Sequence, residues 1–238
     1  MITARAPGAN NTNVTLAPGW HTAALIALLL AVALTGTWLQ HSGVPNAPVV
    51  TPANASRIST QYLPLFLVSA GLAAYCCRIF RGHNALPELL GERWRTVGRS
   101  LVDLGLAFGC FLLIMGVESL SARLIATGQN AAMMRLLPST GAERLTWIVV
   151  AVSVGFCEEV VYRGYLQTQL AAFTGSRAAG VVLQAALFGV VHLEQGPVVA
   201  LRIALYGLLF GALAHYRRNL RPGIACHVLV DLASVFLR

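Results

Sequence analysis

Seven apolar runs, each 15 to 25 residues long and nearly free of charge, divide this chain from end to end. They are Thr22 to Leu39, Tyr62 to Phe80, Leu101 to Leu120, Leu145 to Gln169, Ala178 to Leu193, Val198 to Tyr216 and Gly223 to Leu237. A hydrocarbon core about 30 Å thick is crossed by roughly 20 apolar residues wound as a helix. Only a helix or a closed barrel satisfies every backbone donor and acceptor there. The runs are continuous rather than alternating, so they predict helices. The fold class that follows is all-α: a polytopic transmembrane helical bundle of seven or eight spans. Composition agrees, since 11% of the residues are charged where a soluble domain has about a quarter.

The connections set the organisation. Residues 1–20 read as a flexible polar N-terminus, residues 21–144 as an N-terminal transmembrane region of three spans, and residues 145–238 as a core of four spans. Gly43 to Ala47 offers a weak cleavage-like context after the first run. The length of that run and Trp38 near its end favour a retained span over a signal peptide. No internal repeat occurs, and no stretch has room for a second, soluble domain.

The formal charge of +8 rests on 17 basic residues, every one an arginine. They sit mainly between the runs, which is the placement of topology determinants facing anionic lipid, and no nucleic-acid partner is expected. With the N-terminus inside, the inner segments hold Arg5, Arg78, Arg81, Arg93, Arg95, Arg99, Arg177, Arg217, Arg218 and Arg221. The outer segments hold Arg57, Arg123, Arg135, Arg144 and Arg238. This ten-to-five division predicts a cytoplasmic N-terminus. The absence of lysine and the wealth of Ala, Leu, Gly and Arg suggest a bacterial inner membrane. The five cysteines lie inside apolar runs without metal-ligand spacing, so they read as small buried hydrophobes.

Charges inside apolar spans are costly and call for a partner or a purpose. The fourth run carries Glu158-Glu159-Val160-Val161-Tyr162-Arg163. On a helix Glu159 and Arg163 stand four apart and can pair, while Glu158 turns about 100° away and shares a face with Tyr162. One carboxylate is thereby held, and its neighbour is free to face a cavity. The fifth run ends in Phe188-Gly189-Val190-Val191-His192, and the seventh holds His227 and Asp231 on one helical face. A carboxylate so placed fixes the tautomer of an imidazole. At ~1.5 Å per residue, Glu158 lies roughly 17 Å and His192 roughly 21 Å from the inner ends of their spans, but His227 only about 6 Å. The seventh span therefore either starts earlier than its apolar run or has an inner end that dips into the membrane. Asp103 and Glu118, near the ends of the third span, are expected to be solvated at the interface. Arg202 is expected to snorkel.

These segments resemble a family. E-E-x-x-x-R at Glu158 to Arg163, F-x-x-x-H at Phe188 to His192 and H-x-x-x-D at His227 to Asp231 are similar to the three motifs of the CPBP intramembrane proteases. That family comprises CAAX proteases and bacterial proteins of bacteriocin processing and self-immunity. The resemblance covers about residues 145 to 238 and implies peptide-bond cleavage by an activated water, with no cofactor and no metal. It implies Glu158 as general base, His192 as a second group on the water and His227 as oxyanion donor. Glu159 and Arg163 would brace the site, with Tyr162 and Phe188 beside them. A base must be free of a permanent ion pair and a brace need not be, which agrees with this division. The family's last motif has Asn or Asp, and an ionised Asp231 cannot donate to an oxyanion. Asp231 is therefore expected to orient His227. Three carboxylates against one arginine imply a shared proton or a charged histidine.

The substrate so implied is a membrane-associated or lipid-linked peptide or protein, and the lipid bilayer is the other partner. Three alternatives use the same residues: a metal-dependent membrane protease, since Glu, His and Asp are zinc ligands; a non-catalytic membrane immunity or interaction protein; and a transporter or proton relay. No H-E-x-x-H occurs in the chain. The identity of the substrate and the oligomeric state are not written in these motifs.

Overall fold

A computed structural model of the chain describes residues 15–41, 56–82, 96–124 and 137–236. The 1–14 part of the polar N-terminus, most of the 41–60 connection, residues 83–95 with His83, Arg93 and Arg95, and residues 125–136 with Arg135 lie outside the described residues. Seven helical rods carry the described chain, and no strand occurs among these residues. They are α1 (Gly19–His41), α2 (Ile58–Gly82), α3 (Val97–Leu124), α4 (Gly141–Thr174), α5 (Arg177–Val190), α6 (Pro197–Arg217) and α7 (Arg221–Phe236). Each coincides with one of the seven apolar runs. Four of them, α2, α3, α4 and α6, are long and apolar enough to cross a membrane by themselves, and shorter apolar stretches lie at Gly19–Thr35 and in α5. The chain is an integral membrane protein built as a helical bundle.

Local chemistry starts and stops the rods. Thr140 caps α4 by accepting from the Glu143 amide, and the Glu143 side chain reaches back to the Thr140 amide, a capping box. Ser176 caps α5 through the Ala179 amide. Pro197 occupies the first turn of α6, where its missing N–H costs nothing. Between α5 and α6 the chain makes a 3-10 turn at Leu193–Gln195 and leaves it at Gly196, whose φ of 97° strongly favours glycine.

Packing is densest between α5 and α6 and between the C-terminal part of α4 and α5. Small residues permit it. A Cβ on Gly189 would lie 2.7 Å from the Ala200 carbonyl oxygen and 2.7 Å from Ala204 Cβ. Two buried glutamines then bond across the contact. Gln184 Nε2 donates to the Gly207 carbonyl at 2.9 Å and Gln167 Nε2 to the Gly211 carbonyl at 3.1 Å. In lipid no hydrophobic effect drives one helix onto another, so close backbone approach and such polar bonds do that work.

Ion pairs revise three expectations from the sequence. Asp103 is buried and accepts from Arg217 Nε at 2.7 Å, so it joins α3 to the end of α6 instead of resting in interfacial water. Arg202 does not snorkel. Its Nη1 meets Glu118 at 2.5 Å, and the Tyr206 hydroxyl bonds the same carboxylate. Arg202 is 14% exposed and Glu118 39%, so the arginine is met within the protein and has no need to extend towards the interface. A third pair, Arg57 with Glu143 at 3.3 Å, ties the start of α2 to the capping box of α4.

Candidate active site

The site forms where α4 passes through the middle of the bundle. From Glu159 to Leu166 this helix widens into a π-helix, with the Gln167 amide bonded to the Tyr162 carbonyl five residues back. Every residue of the widened stretch is buried. Such π segments are rare and are found frequently at functional sites. The widening shifts side chains away from the 100° spacing of an ordinary helix, so this register was not available from the sequence.

Glu159 and Arg163 pair as the spacing predicts, at 2.8 Å and with both side chains fully buried. The Glu159 carboxylate does more than brace the arginine. Its Oε1 also lies 3.0 Å from His227 Nδ1, and α7 comes so close that a Cβ on Gly223 would sit 2.8 Å from its Oε2. The group fixing the His227 tautomer is therefore Glu159, where Asp231 was expected. Asp231 Oδ1 stands 4.0 Å from Nε2, the far nitrogen of the ring. Glu158 Oε2 is 3.6 Å from that same nitrogen. The physical reason is reach. Four residues along α7 put the Asp231 carboxylate at the far edge of the imidazole, whereas the neighbouring helix presents Glu159 to its near edge.

Glu158 and His192 face another way. Together with Tyr162 they line a cavity of about 390 Å³, whose remaining walls are mostly aliphatic, among them Leu28 and Val32 of α1 and Leu65 and Leu72 of α2. His192 Nδ1 lies 2.7 Å from the Phe188 carbonyl oxygen, so Nδ1 carries the proton and Nε2 is left as an acceptor. Glu158 is partly open, with 21% of its side chain exposed against none of Glu159. The adjacent carboxylates thus share His227 but differ otherwise: Glu159 is sealed against Arg163 and Nδ1, while Glu158, 3.6 Å from Nε2, also lines the cavity.

Aromatic rings close the back of the site. Phe188 packs edge-on against His192, His227 and Tyr162, with centroids 5.0, 5.9 and 4.8 Å apart. Phe210 of α6, which no motif singled out, lies stacked on His227 at 5.0 Å. It is one phenylalanine in an ordinary apolar run, and nothing in the sequence distinguishes it. The walls supplied by α1 and α2 were equally hidden, since their aliphatic residues differ in no way from lipid-facing ones. The seventh helix starts at Arg221, two residues earlier than the apolar run, and neighbouring Leu220 is buried, so protein covers the start of the helix. Among the described residues no three His, Cys, Asp or Glu side chains are placed to hold a metal ion.

A membrane-embedded bundle with a sealed carboxylate–histidine–arginine group and an open carboxylate–histidine pair has the parts of an intramembrane hydrolase. Comparison with known families makes the class specific. Residues 140–233 match the family described as type II CAAX prenyl endopeptidase Rce1-like. Over that segment, 94 of its 238 residues, the chain is similar to the CPBP, or CAAX-protease, family of intramembrane proteases. No curated protein and no solved structure matches it.

Proposed function

We propose that this protein is a glutamate-dependent endopeptidase that hydrolyses a peptide bond in a membrane-associated or lipid-linked substrate. The observation that carries the reading is that Glu158 and His192 line one cavity while Glu159, next door, is sealed away from it. A water between the two open groups would give one hydrogen bond to the Glu158 carboxylate and one to His192 Nε2, leaving a lone pair directed at the substrate carbonyl. Glu158 takes the proton as the water attacks. His227 holds its Nδ1 proton on Glu159, so a second proton on Nε2 serves the oxyanion that develops. Asp231, whose Oδ1 stands 4.0 Å from Nε2, would attract that proton before substrate arrives. Glu158 then passes its proton to the departing amine, the carbon–nitrogen bond breaks, and the carboxylate is restored.

In this reading the four-helix segment, residues 145–238, is the catalytic core and residues 21–144 add its walls. The protein sits in a bacterial inner membrane with its N-terminus in the cytoplasm, as the arginine distribution favours. The test is comparative peptidomics of membranes bearing the wild type, Glu158→Gln, His192→Ala or His227→Ala, with chelator present in a parallel set. Products that vanish in all three variants and persist with chelator are the expected result. If all three variants insert normally and retain full activity, the reading fails.

A further inference from the structure

Arg163 is fully buried, yet its Nε and Nη2 have no hydrogen-bond partner. Its one ion pair, through Nη1, is with Glu159. A buried guanidinium with idle donors needs another source of stabilisation. Three rings stand around it: its carbon lies 4.3 Å from the Phe188 centroid, 5.0 Å from Phe210 and 5.8 Å from Tyr162. Aromatic faces attract cations most strongly where water is excluded. Two of these rings are shared. Phe210 also lies nearly parallel to the His227 imidazole, with 21° between planes and 5.0 Å between centroids. Phe188 meets the same imidazole edge-on at 5.9 Å.

We infer that Phe210 is a positioning residue of the site, whose ring face holds the His227 imidazole flat while sharing its charge stabilisation with Arg163. The residue touches neither substrate nor water in the proposed chemistry and acts through His227. Without it, the Nδ1–Glu159 hydrogen bond would restrain the ring with less help, and small rotations about Cα–Cβ and Cβ–Cγ would carry Nε2 away from Glu158. Phe210 stands on α6, outside all three motif helices, and brings the fourth core helix into the site. This role rests on the proposed hydrolysis for its kinetic consequence, and on stacking alone for its spectroscopic one.

The experiment uses the full chain in nanodiscs with ring-labelled histidine, assigned by the spectrum of His227→Ala. A stacked Phe210 displaces the His227 ring-proton signal upfield, and Phe210→Leu returns it towards the free value. Leucine also leaves a packing defect, so a second series replaces Phe210 with mono-, di- and trifluorophenylalanine, which keep ring shape while draining charge from its face. The expected result is a stepwise fall in kcat, about tenfold across the series, with KM unchanged. A purely structural Phe210 would show no dependence on fluorination, and that outcome, or an undisplaced His227 signal in the wild type, overturns the inference. The spectrum needs no substrate. A wild type that cleaves nothing but keeps the displaced signal therefore breaks the hydrolytic reading and leaves the stacking intact.

Discussion

Helices α3 and α4 are both long, apolar and fit to cross a membrane, but they are used oppositely. In the apolar window of α4, 56% of the residues are buried inside the protein; in that of α3 the share is 17%. Much of α4 is enclosed by neighbours, and its acidic side chains at Glu143 and Glu159 have defined partners, although Leu145 and Val149 stay exposed. α3 turns Leu101, Phe108, Leu112 and Leu113 outward, all more than half exposed. An enclosed helix needs particular residues at particular positions, whereas an outward-facing one needs only apolarity. That difference explains why recognisable motifs and the family match begin at α4, although α3 is the longer of the two as a single regular helix.

Mutations along the two helices can break or sharpen this contrast. The largest effect belongs to Glu158→Gln, which removes the proposed base and should lower product formation by roughly 10²- to 10⁴-fold with insertion unchanged. Mass spectrometry of membrane digests measures this, and a variant within a few-fold of wild type would end the assignment. Next is Arg163→Met, which strands Glu159 in a site with no exposure. It should cost about 3–5 kcal/mol in unfolding measurements. Arg202→Met, whose partner Glu118 is 39% exposed, should cost only about 1 kcal/mol or less. Equal losses would mean that the two ion pairs are not differently enclosed.

A smaller effect compares glycines. Gly189→Ala drives a methyl against the α6 backbone and should destabilise by about 1–3 kcal/mol. Gly109→Ala on α3 meets nothing within 4 Å. It should be neutral or gain up to about 1 kcal/mol from helix propensity. Smallest of all is Leu112→Ala on the outward face of α3, expected within about 0.5 kcal/mol. A larger loss there, read from the same unfolding curves, would reveal a partner covering that face.

Much of the architecture was legible because lipid is an unforgiving solvent. All seven rods follow from apolar length, and the shifts at their ends have local causes. The sequence placed the start of the fourth rod at Leu145, and the polar capping box moves it to Gly141. The fifth was extended to Leu193 because apolar character continues, although its hydrogen-bonded turns stop at Val190. Within the site, the Glu159–Arg163 pair and the separation of Glu158 from Glu159 were readable from spacing along one helix. The partner of His227 was not. It depends on how α7 packs against α4, and spacing within α7 suggested Asp231 instead. Asp103 and Glu118 were misplaced for the same reason, since their arginines come from α6, 114 and 84 residues away in sequence.

The sequence by itself determined that this chain lies in a membrane, that it does so as helices, and that its unusual polar residues gather on three of the last four. These follow from the cost of burying charge and bare backbone in hydrocarbon, which each segment bears alone. Only the tertiary structure decided which carboxylate meets which nitrogen, where α4 widens, that α1 and α2 wall the cavity, and that Phe210 lies on His227. Those are contacts between segments, set by a few ångströms of helix approach and rotation, and apolar residues that look alike in sequence become distinct only once they are packed.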